Sequence, residues 1–396
     1  MTTVAFHTLG CKVNHYESEA MMDLFKKEGY QIEDFENRAD IYIINSCTVT
    51  NEAARKSRQL ARKARRLNPE ALVALVGCYT QVSPDEVSKI NGVDLMVGTA
   101  NRKDIVKLVE EARKAHSGKE YRAKENEGES LPVGTVLPRE KLNVFEELKV
   151  GELRETTRAY VKIEEGCNQF CSYCIIPYAR GPVRSREMDS IIQEVKELTG
   201  KGVKEIVLTG THLGAYGYDW NERDSLVRLI DKLLKIDGLG RIRLSSIEVT
   251  EVGEELLKVM SNEEKLCSHL HLPLQSGSDQ ILKEMKRPYN KAEFQEKIEI
   301  IRKEIADIAL TTDLIVGFPG ETEELFQESY QFVKDIEFSR LHVFPYSPRK
   351  GTPAARMIGQ LPGDIKKEYS RKMRQLNKTL MLSYQRRFLN EERQVI

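Results

Sequence analysis

The chain has 396 residues, 40% hydrophobic and 31% charged, the balance of a folded globular protein with room for two or three domains. Lys+Arg and Asp+Glu both number 61, so the net charge is zero and the composition does not advertise a wholesale polyanion binder. No apolar run approaches the ~20 residues that span a bilayer, and MTTVAFHTLG lacks a basic segment followed by a long apolar core, so the expectation is a cytoplasmic chain with no membrane partner.

Residues 1–116 read as an α/β unit. VAFHTL is a short strand, 16–27 an amphipathic helix, IYIIN (41–45) a buried strand, and 51–67 a helix stopped by Asn68-Pro69. ALVALV (71–76) and DLMVG (94–98) are further strands, and a last helix falls near 102–115. Such a βαβ series implies a doubly wound parallel sheet. Residues 117–145 lose periodicity and gain charge, Gly and Pro, as a linker does. From 146 to 375 six strands (158–163, 205–210, 241–247, 270–274, 308–317 and 340–346) alternate with helices near 188–200, 224–236, 253–261, 291–306 and 322–335. That pattern implies a partial (β/α)6 barrel with its site at the carboxyl ends of the strands. Residues 376–396 form a charged C-terminal extension.

The seven cysteines are an odd number, and in a reducing compartment they do not read as a disulfide framework. Their positions carry the information. Cys11, Cys47 and Cys78 each lie just past a strand of the first unit, where open parallel sheets bind ligands. The alternative for each is a small buried thiol. Cys167, Cys171 and Cys174 form C-x3-C-x2-C after the first barrel strand. Three thiolates on one loop hold three irons of a [4Fe–4S] cube and leave the fourth open. That open iron can chelate the amino and carboxylate groups of S-adenosylmethionine (SAM), whose reductive cleavage yields a carbon radical. Zinc is the rival, but a structural zinc takes four protein ligands and no fourth Cys or His follows in the loop. Cys267 stands outside both triplets and reads as structural, and His15 and His212 as non-ligating.

TLGCKVNHYESE, NSCTVTNEAARKSRQ, VGCYTQ, GCNQFCSYCIIPYARGPVRSR, LTGTHLGAYG, HLPLQSGSDQILKEMKR and IVGFPGET together resemble the radical SAM methylthiotransferases, from residue 3 to about 356. KVN and the VTN…KSRQ segment resemble the MtaB type, which acts on N6-threonylcarbamoyladenosine at position 37 of tRNA. The resemblance implies two [4Fe–4S] clusters, an auxiliary one on Cys11, Cys47 and Cys78 and the radical SAM one on Cys167, Cys171 and Cys174. It implies two SAM molecules per turnover, one methylating a sulfur and one generating the radical that activates C2 of the base. It also implies the tRNA anticodon loop as partner, an electron donor such as flavodoxin or ferredoxin, and a C-terminal TRAM β-barrel. The chain stops at ERQVI, where that barrel's first strand is expected, so the TRAM domain is expected to be missing or truncated.

Weaker signals surround these. Thr209, Gly210 and Thr211 end the second barrel strand, where the family's pattern meets the SAM amino group. Gly317 and Glu321 end the fifth, where glycine lets backbone approach an adenine. Gln275 and Ser276 follow the fourth strand as candidate cofactor contacts, or as a cap for the helix at 279. Arg180, Arg184 and Arg186 suit a carboxylate or phosphate, or exposed ion pairs. Arg55, Arg58, Arg62 and Arg65 form one stripe on helix 51–67, an RNA phosphate contact or a solvated face. Rival readings are the same chemistry on isopentenyladenosine-37 or on a ribosomal-protein aspartate, and a non-catalytic, metal-stabilised RNA-binding protein.

Overall fold

The computed structural model describes residues 1–117, 133–151 and 158–393. Residues 118–132 of the expected linker, 152–157 ahead of the first barrel strand, and the last three residues of the C-terminal extension lie outside them. The chain divides into two compact units, one of residues 1–155, 165–167 and 175–186, the other of 156–164, 168–174 and 187–396.

In the first unit β1 (Thr3–Thr8), β2 (Gln31–Glu33), β3 (Ile41–Ser46), β4 (Leu72–Gly77), β5 (Leu95–Val97) and β6 (Val133–Thr135) form one parallel sheet, ordered β2-β1-β3-β4-β5-β6. Helices α1 (Lys12–Lys27), α2 (Asn51–Leu67), α3 (Cys78–Val82), α4 (Pro84–Val87) and α5 (Ile105–Ser117) follow the strands. β3 and β4 are buried along their whole length, which is why they read as unbroken apolar runs rather than alternating ones. Tyr42, Ile44, Val73 and Leu75 pack with Ala54, Ala61 and Ala64 of α2 on one face. Ile41, Ile43, Ala74 and Val76 pack with Met21 and Phe25 of α1 and Ile105 and Val109 of α5 on the other. Small residues on α2 let that helix lie close on the sheet, and Thr50 caps it by accepting from Ala53 N at 3.2 Å.

Three details differ from expectation. Helix α1 begins at Lys12, directly after Cys11, rather than at 16: its first turn buries Val13 beside polar Asn14, so the apolar spacing of Val13, Tyr16 and Ala20 starts a turn earlier than expected. The short edge strands β2 and β6 carry too few residues to signal themselves, and β6 places 133–135 of the expected linker in the sheet. The face of α2 away from the arginine stripe is expected to carry Ala53, Ser57, Leu60, Ala64 and Leu67, whereas its buried residues are Ala54, Ser57, Ala61 and Ala64, with Ala53 only half-buried.

In the second unit the barrel strands are Arg158–Lys162, Glu205–Thr209, Arg241–Leu244, His269–His271, Ala309–Val316 and Arg340–Pro345, at the six expected places. Strands one to three pair in parallel, as do four to six, and parallel bridges Ile242 to Leu266 and Ser246 to His271 join third and fourth. Alternate residues such as Val161, Leu208, Leu244, Leu270, Leu314 and Val343 are buried and form the layer under the helices. Between them along the strands lie polar residues, among them Lys162, Thr209, His271, Asp313 and His342. The expected helices lie at Met188–Gly200, Ser225–Leu234, Glu254–Asn262, Lys291–Glu304 and Glu323–Ile336.

A final helix, Gly363–Arg386, runs unbroken through residue 375. It buries Tyr369, Met373, Leu376 and Leu380, at helical spacing, and Tyr369 stacks on Phe326 with ring centroids 4.0 Å apart. Met373 is fully buried. Its truncation in Met373→Ala is expected to destabilise this unit by roughly 2–5 kcal/mol, read as a lower denaturation midpoint at unchanged m-value.

Candidate iron–sulfur centres and cofactor loops

Strands β1, β3 and β4 are neighbours, in a register that pairs Thr8 with Asn45 and Ser46 with Gly77. Cys11, Cys47 and Cys78 therefore leave the same carboxyl edge of the sheet. Cys47 and Cys78 are buried and Cys11 is exposed. Burial pushes the Cys47 thiol up to about 12, with Cys78 and Cys11 adding to the rise. Burial also raises Cys78, against the opposing charge of Arg180, which hydrogen-bonds it. The three thiols thus sense one another electrostatically, and iron binding would replace their protons. Gly10 is built into the arrangement: at φ +116°, a Cβ there would stand 2.9 Å from Cys47 Cβ and 3.2 Å from its sulfur.

Asn14 knits the loops together. Its Nδ2 donates to Leu9 O at 2.7 Å and Ser46 O at 3.1 Å, while its Oδ1 accepts from Arg180 Nη2 at 2.7 Å and faces Cys11 Sγ at 3.6 Å. Arg180 is 1% exposed. Its Nη1 donates to Glu17 Oε1 and Glu165 Oε1, both at 2.7 Å. Arg102, fully buried, meets Glu17 at 2.5 Å, Glu146 at 3.0 Å and Glu165 at 3.3 Å. Arg184 lies 3.4 Å from Glu165 and donates to three carbonyls, and Arg186 pairs with Glu147 at 3.0 Å. The expectation of exposed pairing or a phosphate site for Arg180, Arg184 and Arg186 gives way to buried pairing with the chain's own carboxylates and carbonyls. Their partners lie too far away in sequence for any local pattern to announce them. In the same unit Gly166, at φ +98°, precedes Cys167 where a Cβ would fall 1.8 Å from Pro182 O. Cys167 N donates to Gly181 O at 3.1 Å.

In the second unit the remaining two cysteines of the C-x3-C-x2-C loop are held by the barrel. Cys174 N donates to Cys171 O at 3.0 Å, and Ser172 is fastened through its N to Met285 O and its Oγ to Glu284 O. Tyr173 packs on the cluster of Phe318, Tyr346 and Met285. Arg287 Nη1 donates to Cys171 Sγ at 3.3 Å, while its Nη2 donates to Tyr289 Oη at 2.8 Å and pairs with Glu248. Neither Arg287 nor Glu248 was singled out by sequence, since an Arg after a helix end carries no distinctive pattern. Both triplets offer soft sulfur donors beside a guanidinium that offsets the negative charge of an iron–sulfur cluster, so the residues fit such groups.

The cofactor loops divide. Thr211 Oγ1 and Ser245 Oγ, at the ends of the second and third strands, are buried hydroxyls without a hydrogen-bond partner, as expected of groups awaiting a polar ligand. Thr209 is buried, and Gly210 leaves room for Glu164, whose Oε2 lies 2.6 Å from where a Cβ would be and accepts from His212 N. His212 Nε2 pairs with Glu251 at 2.7 Å. Gln275 sits at φ +69° with its backbone paired to Asp313 and Ile315. Ser276 Oγ accepts from Ser278 N at 3.3 Å, which tightens the turn ahead of the helix at 279 without capping it, since Ser278 is the residue at the cap. Gly317 takes φ +74° and donates its N–H to buried Glu321, which closes the turn on itself.

The arginine stripe needs revision in role. Arg65 is committed to the fold, donating to Pro69 O, Ala71 O and Asp94 at 2.8, 2.9 and 2.6 Å. Arg58 donates to Tyr79 Oη, and Arg55 pairs with Glu52, while Arg62 is exposed. Half-buried Cys267 lies among Arg243, Glu205 and Arg241 at the strand starts, away from the carboxyl edge.

A family model described as "Uncharacterized protein family UPF0004" matches residues 3–98, and one described as "Radical SAM superfamily" matches 161–333. The threonylcarbamoyladenosine tRNA methylthiotransferase MtaB of Bacillus subtilis (strain 168) is 45% identical over all of this chain and 85% of its own. That of Thermotoga maritima is 40% identical, over 100% and 86%. The tRNA-2-methylthio-N(6)-dimethylallyladenosine synthase of Moorella thermoacetica is 37% identical, over 98% and 85%. Among solved structures, the radical SAM methyltransferase TsrM from Kitasatospora setae shares the fold, with a TM-score of 0.62 at 16% identity over 90% of this chain and 77% of that one.

Two outcomes follow. Gly10→Ala is expected to lose about four of about eight cluster irons, counted after anaerobic reconstitution, because its methyl group occupies the approach to Cys47. Burial pushes the Glu321 carboxyl up to about 7, against the backbone donors of Gly317 and Phe318. A carboxyl raised in the folded state favours folding below its unfolded pKa and loses that advantage as pH rises through about 7. Glu321→Gln is therefore expected to be near neutral in acid and to gain up to about 3 kcal/mol of stability in mild alkali, seen as a flattened dependence of melting temperature on pH.

Proposed function

The chain belongs to the radical SAM methylthiotransferases of the MtaB type, and on that premise we propose how its residues divide the work of placing a methylthio group on C2 of N6-threonylcarbamoyladenosine-37 of tRNA. Its cofactors are two [4Fe–4S] clusters and SAM. When bound, these supply a carbon radical that takes a hydrogen atom and a sulfur that is methylated and transferred. Cys167, Cys171 and Cys174 hold the radical-generating cluster, and Cys11, Cys47 and Cys78 the auxiliary one. The observation that carries this reading is the convergence of the second triplet from three adjacent strand ends onto one sheet edge.

The other groups act by positioning. Arg180 donates to Cys78, and Arg287 to Cys171, so each sulfur set keeps a fixed positive neighbour. Thr211 and Ser245 offer their unpaired hydroxyls to the polar end of SAM. Thr209 and Gly210 shape the same strand end, and Gln275 and Gly317, whose N–H is held by Glu321, shape the turns at the fourth and fifth strand ends. Glu321 and Ser276 hold their turns rather than the cofactor. Exposed Arg55 and Arg62 are the members of the arginine stripe left to meet the phosphates of the anticodon loop. The electron enters from a small redox protein of the flavodoxin or ferredoxin class. A tRNA substrate and thiols that must stay reduced suit the cytoplasm.

Cys171→Ala is expected to abolish SAM cleavage while leaving the auxiliary cluster bound, and Cys47→Ala to retain SAM cleavage while forming no methylthiolated product. Both are read by chromatography of 5′-deoxyadenosine and of nucleosides from digested tRNA. Loss of SAM cleavage in both folded variants would sink the division of labour. Threonylcarbamoylated tRNA should be converted and isopentenylated tRNA should not.

A further inference from the structure

A group of side chains on one face of the fourth, fifth and sixth barrel strands belongs to neither cysteine triplet. Strand register assembles it, pairing His271 with Thr311 and Asp313 with His342, so all four side chains leave the same face. His271 Nε2 and His342 Nδ1 each lie 3.2 Å from the same oxygen, Oδ1 of Asp313. The donor atoms of the three residues all fall within 4.8 Å of one another. The two imidazoles stack with centroids 5.2 Å apart.

We propose that His271, Asp313 and His342 form a binding site for one divalent transition-metal ion of the zinc or ferrous type, separate from both iron–sulfur centres. Two atoms bound to one ion at about 2.0–2.1 Å stand roughly 3.0 Å apart at octahedral and 3.4 Å at tetrahedral angles. Both nitrogen–oxygen separations here lie between those limits, at the upper end of the range for direct N–H···O bonds. Two imidazoles and a carboxylate are the donor set that suits these ions, and three protein ligands leave positions open for water or a further ligand. Thr311 supplies the outer contact that metal-binding histidines make through their other nitrogen. Its Oγ1 lies 2.8 Å from His271 Nδ1 and 3.2 Å from His269 Nε2, which fixes the ring with Nε2 turned to Asp313. His342, 43% exposed, gives an ion its way in.

The test uses the holoenzyme with both clusters assembled anaerobically and Co2+ as the probe, followed by equilibrium dialysis and visible ligand-field absorption, with Zn2+ as competitor. About one Co2+ per chain is expected beyond the cluster iron, displaced by Zn2+. His342→Ala and Asp313→Asn are each expected to weaken binding about tenfold or more, with iron content and cluster absorption unchanged. Because His342 is largely exposed, its truncation leaves the core intact. A wild-type protein that binds no Co2+, or Co2+ held as tightly by both variants, overturns the site.

Discussion

Glu17, Glu165, Arg102 and Arg180 are buried together in the first unit, and the placing of its cysteines depends on them. Glu17 lies on α1, just beyond Cys11; Arg102 stands ahead of α5; Glu165 and Arg180 flank Cys167 in sequence. Desolvating so many charges is costly, and only mutual pairing offsets it. Removing one member leaves its partners buried and uncompensated, a loss of about 3–5 kcal/mol in comparable cases. Arg180 also donates to Asn14 and touches Cys78, so the same side chain that balances the carboxylates fixes the loops that carry the sulfur ligands. An apolar replacement of the cluster could fill the volume, but it could not orient Asn14 or set a positive charge beside a cluster.

The two cysteine centres repeat one construction. Each takes its ligands from the carboxyl edge of a parallel sheet, each has glycine immediately before a ligand, and each sets a buried arginine against a sulfur, Arg180 on Cys78 and Arg287 on Cys171. Hydrogen bonds and charge at the sulfurs are the levers by which a protein tunes such clusters. The chemistry resides in the cofactors. On the proposed assignment the chain would supply three ligands to each cluster rather than four, leaving one iron of each for SAM or for sulfur.

Much of this was legible in the sequence, for identifiable reasons. The barrel strands alternate strongly and their helices are amphipathic, so all six repeats could be read. The cysteines follow strands that are continuous apolar runs, so their common edge could be inferred. What escaped was set by distance along the chain. Arg180 meets Glu17 across 163 positions, and His271, Asp313 and His342 come together only through strand register. Arg65 resembled its neighbours in the stripe until the carbonyls at the end of α2 claimed it. The first turn of α1 was missed because Val13 is its one buried apolar residue and Asn14 beside it is polar and serves the cysteine loops.

Iron counting with Mössbauer spectra, after anaerobic reconstitution, tests the central claim most directly. The account predicts about eight irons per chain in two cubane clusters, and about four when either Cys11, Cys47 and Cys78 or Cys167, Cys171 and Cys174 are replaced together by Ala. About four irons in the unaltered chain, unchanged on replacing Cys11, Cys47 and Cys78, would contradict it and leave the sheet-edge cysteines as plain buried thiols.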